Sequence, residues 1–283
     1  MNSNRRHRCI FSNGLASLLC TVLWLSPWLV SAEEAGPAQQ LPAISIVIDD
    51  MGNHGRWGDE ALSIPGKVSY AFLPHTPHAK RLARAAHKQG RDVMLHLPMQ
   101  AYSNDSLGPG GLTLHQTEIA FKETLASSLE SIPHAKGLNN HMGSLLTRHP
   151  GAMAWLMQSL QERESLFFID SRTTGGSVAH LLAREYEVPA ASRDVFLDNS
   201  RDPKEIKAQF MRLVKKAEKR GYAIGIGHPY PETAQVLNEL LANPGQLGVR
   251  LISASEMIEL QQRKNSWPEP SSPSPKVAKN SKQ

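Results

Sequence analysis

Two adjacent carboxylates, Asp49 and Asp50, close a run of hydrophobic and β-branched residues in the segment SIVIDDMG, residues 45–52. A single aspartate after a strand is usually a turn residue or a helix cap, but a pair in this position is less easily explained by local structure. One carboxylate of such a pair can bind a divalent metal ion while the other accepts a proton from water. Gly52 would let the chain turn sharply beside the ion.

Four later apolar runs also carry polar side chains at or near their ends. Carboxylate and neutral imidazole are natural ligands of Zn²⁺ and related ions, and a catalytic site uses about three of them and leaves a position for water. Parallel strands would bring such residues together at one edge of a sheet. The residues are His96 in the run 91–98; Asn139, Asn140 and His141 in 135–141; Asp170, Ser171 and Arg172 at and after the end of 165–170; and His228 and Tyr230 at and after the end of 221–228.

Each of these residues also has an ordinary structural explanation. His96 alone can be a hydrogen-bonded core histidine, and His228, which precedes a proline, can simply end a strand. The spacing does not form a compact metal motif such as H-E-x-x-H. The functional interpretation therefore depends on the coincidence of carboxylates and imidazoles at several strand ends.

The elements that would position these residues alternate between apolar runs and amphipathic helical patterns. This alternation predicts a parallel β/α architecture, which we interpret as a closed or nearly closed, distorted (β/α)₇-type barrel. An open doubly wound sheet is the alternative, and in both folds function collects at the carboxyl ends of the strands. The predicted strands are 43–49, 67–74, 91–98, 135–141, 165–170, 190–198, 221–228 and 249–254.

Capping residues fix the ends of several predicted helices. Asp202 is the expected N-cap and Gly221 the C-terminal stop of one helix, and Ser253 with Glu256 forms a capping box for the last. The segment 99–116 has no helical pattern, and a loop this long is more often functional or mobile than ordinary. A helix over 117–132 would bury Ile119, Leu125, Leu129 and Ile132.

The two ends of the chain are predicted to lie outside the folded domain, which we place at 43–263. Residues 1–32 combine a basic start, an apolar run and a small-residue cleavage pattern, and we interpret them as a signal peptide for secretion across the inner membrane into the periplasm. An uncleaved membrane anchor is the alternative. Residues 33–42 form a linker, and 264–283 form a Pro-, Ser- and Lys-rich tail that we expect to be disordered.

Composition excludes some classes of function. Both cysteines, Cys9 and Cys20, lie within the predicted signal peptide, so the mature chain would have no disulfide and no cysteine-based site. The whole chain has 31 Lys and Arg against 26 Asp and Glu, and without the three arginines of 1–32 the surplus is only +2. This charge gives no argument for nucleic-acid binding, and we expect no stable membrane span after removal of the signal.

Six segments in family order show a resemblance to a known family. The chain resembles the divergent polysaccharide deacetylases, which are similar to polysaccharide deacetylases with a distorted (β/α)₇ barrel and a metal that is usually zinc. The resemblance covers nearly all of residues 43–260. The segments are IVIDDMG, AFLPH, VMLHLPMQ, GLNNHMGS, FFIDSRT and IGIGHPYPET.

The resemblance implies a metal site and a proton acceptor. Asp49 matches the catalytic base, Asp50 a metal ligand, and His96 the first of two histidine ligands. Gln100 stands where the second histidine would be, which is a departure from the established deacetylases. We expect His141 to supply the missing ligand.

The resemblance also implies a general acid and a substrate. His228 matches the acid, and Asp170 and Arg172 are expected to orient it, while the Arg-Pro-Pro-Tyr run of established deacetylases is absent. The implied reaction is hydrolysis of acetyl groups on an envelope polysaccharide. The implied cofactor is a divalent metal ion, and Zn²⁺ is the ion we expect. Asn140, Gln100 and Tyr230 are expected to contact the glycan, and Trp57 either stacks on a sugar or packs a helix.

Two other functions remain open at this point. Gln100 and the missing Arg-Pro-Pro-Tyr run favour a degenerate relative that binds glycan or an envelope protein without turnover. A phosphatase with Asp49 as nucleophile ranks low, because the usual aspartyl-phosphate pattern separates its two acids by one residue. The sequence names neither the glycan nor a protein partner.

Overall fold

The computed structural model describes residues 40–103, 105–163 and 165–266, which contain a parallel sheet surrounded by helices. The predicted signal peptide, residues 33–39 of the linker and residues 267–283 of the tail lie outside the described residues. The strands are β1 Ala43–Met51, β2 Ser69–Phe72, β3 Val93–Met99, β4 Ala135–Met142, β5 Phe167–Asp170, β6 Ala190–Ser192, β7 Val195–Phe196, β8 Tyr222–Gly227 and β9 Arg250–Leu251. The α-helices are α1 Gly55–Leu62, α2 Ala79–Lys88, α3 Glu118–Ser131, α4 Pro150–Gln161, α5 Ala179–Glu185, α6 Pro203–Arg220, α7 Pro231–Leu241 and α8 Ala254–Ser266, and short 3₁₀ helices span Leu146–Arg148 and Pro244–Leu247.

The sheet curves into a distorted barrel, as predicted. Its strand order is β6-β5-β4-β3-β2-β1-β8-β7, with β9 added beside the start of β1. The predicted strand 190–198 is two strands, because the chain crosses from one side of the barrel to the other. The backbone N–H of Arg193 donates to Asp170 on β5, and that of Asp194 donates to Ile224 on β8. No ladder joins β6 and β7 in the described residues, so the barrel is open there.

Alternation along the strands divides the core into two layers. Val47, Met94, Ile169 and Ile226 belong to the cluster inside the barrel, whereas their strand neighbours, such as Ile48, pack outward under the helices. Since side chains on a strand alternate in direction, a residue's position decides whether it can reach the barrel interior.

The capping predictions are confirmed, but one buried position was wrong. Ser253 N–H donates to Glu256 Oε2 at 2.9 Å, and Glu256 N–H donates to Ser253 Oγ at 3.3 Å. Ile119 is 72% exposed, and Phe121 on the opposite side of α3 is buried instead, because residues two apart on a helix point in nearly opposite directions. No described helix is long and apolar enough to cross a membrane.

Candidate metal centre

Strand alternation directs three of the predicted site residues into the barrel at the carboxyl ends of the strands. Asp49 lies two residues after the inward Val47, and His96 two residues after the inward Met94. His141 is two residues beyond Asn139, which pairs with the inward Ile169 of β5. The three side chains therefore share the inner face, although they are far apart in sequence.

Asp50 joins them through an irregularity in β1. In a regular strand the side chain of Asp50 would point out of the barrel, on the face opposite to that of Asp49. The pairing of β1 with β2 shifts register between Ile48 and Met51, and Asp50 has a positive φ of 53°. This conformation is strained for a residue other than glycine, and it turns the second carboxylate toward the imidazoles.

Three donor atoms converge at this point. Asp50 Oδ1 lies 2.9 Å from His141 Nδ1 and 3.1 Å from His96 Nε2, and the two imidazole nitrogens are 3.1 Å apart. The His96 side chain is 3% exposed, whereas those of His141 and Asp50 are 21% and 31% exposed. One side of the centre thus opens to solvent and substrate.

The donors fit a divalent metal ion. Asp50 Oδ1 is buried and makes no well-directed hydrogen bond, although two imidazole nitrogens lie within 3.1 Å of it, so a cation among the three atoms would satisfy this acceptor. Tetrahedral ligands at about 2.1 Å from zinc lie roughly 3.4 Å apart, so the donors need to separate by only a few tenths of an ångström. Burial alone would raise the pKa of Asp50, but the imidazoles of His141 and His96 lower it below its ordinary value, and the carboxylate stays ionised.

A buried amide fixes the orientation of His96. Asn139 Nδ2 donates to Asp49 Oδ1 at 2.8 Å, which leaves Asn139 Oδ1 to accept from His96 Nδ1 at 2.8 Å. With its proton on Nδ1, His96 presents the lone pair of Nε2 to the centre. From the sequence, Asn139 is a strand-end residue without an assigned role, although its inward position is the one that alternation gives to a neighbour of His96.

Asp49 lies beside the donor atoms without joining them. Its side chain is 2% exposed, and Oδ2 lies 3.6 Å from His96 Nδ1. Burial raises the pKa of Asp49, and this outweighs the lowering by His96, His228 and the Asn139 hydrogen bond. A carboxylate with a raised pKa is a stronger proton acceptor than an ordinary aspartate.

His228 lies across the centre and is held by Asp198. Its Nδ1 is 2.8 Å from Asp198 Oδ1, and its Nε2 is 3.9 Å from Asp50 Oδ2. Asp198 Oδ2 accepts from the backbone of His228 and from Thr233 Oγ1. Burial lowers the pKa of His228, but the hydrogen bond and charge of Asp198, with Asp50 and Asp49, raise it to about 9.

The structure gives His228 a hydrogen-bond partner, Asp198, that was not predicted from the sequence, and the predicted Asp170 bonds elsewhere. Asp170 is on β5 two residues beyond the outward Phe168, and its oxygens accept from Arg172 N–H and Ser177 Oγ, both at 2.8 Å. Asp198 makes the contact to His228 that was predicted for Asp170 and Arg172. A search for acidic and histidine residues at the ends of the predicted strands would have found Asp198, because it is the last residue of the predicted run 190–198.

Two residues expected to contact glycan have structural contacts. Asn140 lies outward beside Leu138, and its side chain donates to Met142 O at 2.7 Å and accepts from Ser171 N–H at 2.9 Å. Gln100 Oε1 accepts from Leu114 N–H at 2.8 Å. These contacts fix the chain beside the site, and glycan binding by either residue stays a prediction.

Tyr230 lies beside His228 in a row of rings. The two ring centroids are 5.5 Å apart, and Trp57 packs edge-on to Tyr230 at 6.4 Å. The Arg201 guanidinium lies 4.8 Å from the Tyr230 centroid and 5.9 Å from that of Trp57, and His54 lies 4.6 Å from Trp57. Because Trp57 already contacts three neighbours, the packing alternative predicted for it agrees better with the structure than sugar stacking.

A cleft of about 240 Å³ opens beside Asp50 and His141. The loop that the sequence predicts as functional contributes one wall, residues 106–109, and apolar side chains line much of the rest. A small cleft with apolar walls next to a polar centre is a typical ligand site. The other apolar lining residues are Leu73, Pro74 and Pro98.

Comparison with known proteins gives a family match and related folds. Residues 46–258 match the family model described as divergent polysaccharide deacetylase. The chain is 36% identical over 225 residues to the uncharacterized protein YibQ of Escherichia coli, covering 80% of this chain and 70% of that one. It is 40% identical over 200 residues to an uncharacterized protein of Haemophilus influenzae, covering 71% of both. An uncharacterized protein from Agrobacterium tumefaciens has the same fold, with a TM-score of 0.75 at 20% identity, covering 78% of this chain and 91% of that one.

Proposed function

The chain belongs to the divergent polysaccharide deacetylase family, and from this premise we propose that it removes acetyl groups from an envelope polysaccharide in a metal-dependent hydrolysis. The observation that carries the proposal is the convergence of one ligand atom each from Asp50, His96 and His141. Asp49 and His228 both lie beside that centre, where a base and an acid are needed.

Zinc is the ion that one carboxylate and two imidazoles suit best. Bound by Asp50, His96 and His141, it would lower the pKa of a water molecule and polarise the acetyl carbonyl. In this proposal His141 on β4 completes the ligand set and offsets the departure at Gln100. The alternative of a degenerate, non-catalytic relative then rests on the missing Arg-Pro-Pro-Tyr run.

Asp49 is the proposed base. Asn139 occupies its Oδ1, so Oδ2 is the oxygen left to accept the proton of the attacking water. The Asn139 hydrogen bond also fixes the carboxylate in orientation, so that little reorganisation is needed for proton transfer.

His228 is the proposed acid. Asp198 accepts from Nδ1 and holds the ring, so the proton on Nε2 faces the centre and is available to the leaving amine or alkoxide. The negative charge of Asp198 stabilises the protonated ring in the way that a carboxylate partner supports a catalytic histidine.

We also propose that the protein acts in the periplasm, because residues 1–32 have the composition of a secretory signal. Cell fractionation tests this point independently of activity. The mature chain is expected with periplasmic markers, and recovery with cytoplasmic markers would overturn the localisation.

Metal analysis and acetate release from the purified protein test the activity. The wild type is expected to bind one zinc ion and to release acetate from acetylated oligosaccharides, whereas Asp50→Ala and His141→Ala lose both. The matched controls are Asp59→Ala and His87→Ala, which change exposed residues on α1 and α2. Bound zinc without acetate release from any acetylated glycan would contradict the proposed activity and favour the alternative of a glycan-binding relative without turnover.

A further inference from the structure

One side of the site carries positive charge without acidic partners in its loops. The loops after β4 and β5, residues 143–149 and 171–178, contain Arg148 and Arg172 but no aspartate or glutamate. Arg148 donates to Tyr102 Oη at 3.0 Å, while Tyr102 is 62% exposed on the neighbouring loop. This arrangement places cationic and aromatic groups at the rim of the barrel.

Arg172 has a strained backbone that its neighbours hold. Its φ is 50°, a conformation that costs energy in residues other than glycine. Its N–H donates to Asp170 Oδ1 at 2.8 Å, and its carbonyl accepts from Arg193 Nη2 at 2.9 Å. The fold thus fixes the Cα of Arg172 at one point of the rim.

No contact within the fold explains the guanidinium of Arg172. The side chain is exposed, and among the described residues no hydrogen bond or ion pair to it is found. Nearby acids are already engaged: Asp170 is fully buried and bonded to Ser177, and Asp194 pairs with Arg220. The charge is therefore free to meet an external anion.

Hydrogen bonds between the loop after β5 and the end of β4 place Arg172 next to the metal centre. Ser171 N–H donates to Asn140 Oδ1 at 2.9 Å and Thr173 Oγ1 donates to Met142 O at 2.8 Å. The backbone of Arg172 thus lies beside His141. The exposed side chain of Arg172 therefore lies where it can meet a substrate bound at the centre.

The cleft on the other side of the centre is different in character. Apart from Asp50 and His141, which belong to the centre, its lining has no charged side chain, and Leu73, Pro74 and Pro98 form apolar walls. A neutral group fits this cleft, whereas an anionic group fits the opposite rim. The centre is flanked by two unlike surfaces, which would orient an elongated substrate.

We propose that the substrate is an acetylated glycan carrying carboxylate groups, with a carboxylate bound by Arg172 and the uncharged part of the adjoining sugar in the cleft beside Asp50. This inference rests on the proposed deacetylase function and narrows its substrate class. A guanidinium recognises a carboxylate through charge-assisted, often bidentate hydrogen bonds, and such a contact selects acidic over neutral sugars.

The test compares one N-acetylated oligosaccharide in two forms, with its carboxyl groups free or converted to neutral amides. Acetate release and direct binding by calorimetry are both measured with zinc-loaded full-length protein. The wild type is expected to prefer the free acid by about tenfold in kcat/KM and in affinity. Arg172→Gln should reduce that preference to about twofold or less, while Arg84→Gln, an exposed arginine on α2, should keep it.

The outcomes separate the two proposals. Equal rates and affinities for the acid and the amide in the wild type overturn the acidic-glycan inference but leave the deacetylase function intact. No acetate release from either form contradicts the deacetylase function, and the calorimetric preference then decides the inference alone. A preference that persists in Arg172→Gln assigns the recognition to another group and overturns the role of Arg172.

Discussion

Two aspartates at opposite ends of the barrel have contrasting surroundings. Asp92, at the amino end of β3, is 2% exposed, and each of its oxygens has a partner: Lys136 Nζ at 2.9 Å and Ser255 N–H at 2.8 Å. Asp50, at the carboxyl end of β1, has an oxygen that makes no well-directed hydrogen bond. A carboxylate whose oxygens all accept hydrogen bonds from the fold stabilises it, whereas a carboxylate oxygen without a well-directed hydrogen bond is left for a ligand.

The size of the cavities does not distinguish the carboxyl end of the barrel from its amino end. A cavity of about 670 Å³ lies at the amino ends of β4 and β5, beside Ile132 and Leu166. It is larger than the cleft at the metal centre, but none of the carboxylate–imidazole convergence seen around Asp50 occurs among its lining residues. Convergent, unsatisfied donor atoms therefore identify the functional end better than volume does.

The largest effect is expected from Asp50→Ala. Loss of a metal ligand should lower the rate of acetate release by about three orders of magnitude, because the ion contributes several kcal/mol to transition-state stabilisation. The melting temperature of the metal-free protein should fall only slightly, because the variant loses the contacts of Asp50 to His96 and His141 but also removes a carboxylate whose ionised form burial disfavours. Steady-state kinetics and calorimetric melting check both parts, and a large drop in melting temperature would contradict the comparison.

Removal of Asn139 should weaken the metal centre without removing a ligand. In Asn139→Ala, His96 Nδ1 loses its acceptor and Asp49 its donor, so zinc affinity should fall about 10- to 100-fold. Competition with a fluorescent chelator measures the affinity. Asn140→Ala is the matched outward control and should change zinc affinity less than about threefold; equal losses in both would contradict the assignment by alternation.

Asp92→Asn should show the reverse pattern from Asp50→Ala. Disruption of the contacts to Lys136 and Ser255 should lower the free energy of unfolding by about 1–2 kcal/mol, with little from the ion pair itself because Lys136 is half exposed. Zinc content should stay at the wild-type value. Urea denaturation and metal analysis check the two expectations, and loss of zinc would show that the two ends are coupled.

The smallest effect expected is the pH dependence of the difference in unfolding free energy between wild type and Asp92→Asn. Burial raises the pKa of Asp92, but Lys136 and Ser255 outweigh it and hold the pKa below 3.8. Because the pKa is lower in the folded protein, the stabilisation is complete above about pH 4 and is lost as the pH falls through the folded value. The difference between wild type and Asp92→Asn should therefore be constant from pH 5 to 7 and shrink below pH 4. A difference that grows on acidification would contradict this.

Much of the fold and part of the site could be predicted from sequence. The alternation of apolar runs and helices predicted the barrel. The search for acidic and histidine residues at strand ends selected Asp50, His96 and His141, which the structure brings together. The strain that redirects Asp50 could not be predicted, because it depends on a register shift between strands. Asp198 ends the predicted run 190–198, but its place beside β8 and His228 could not be predicted, because it depends on the chain switching sides at Arg193 and Asp194.

Alternation explains which strand-end residues reach the centre. Asn139 and Asn140 are identical in type and adjacent, yet only Asn139 bonds to residues of the site. A count of inward positions from the apolar core would have chosen Asn139, and would have placed Asp170 outward beside Phe168. Composition of the strand end alone does not carry this information.

The most direct test of the central claim is a crystal structure of the zinc-loaded protein with anomalous data collected at the zinc absorption edge. We predict one anomalous peak about 2.0–2.2 Å from Asp50 Oδ1, His96 Nε2 and His141 Nδ1. Zinc bound elsewhere, with no peak among these three atoms, would contradict the metal centre and with it the proposed hydrolysis.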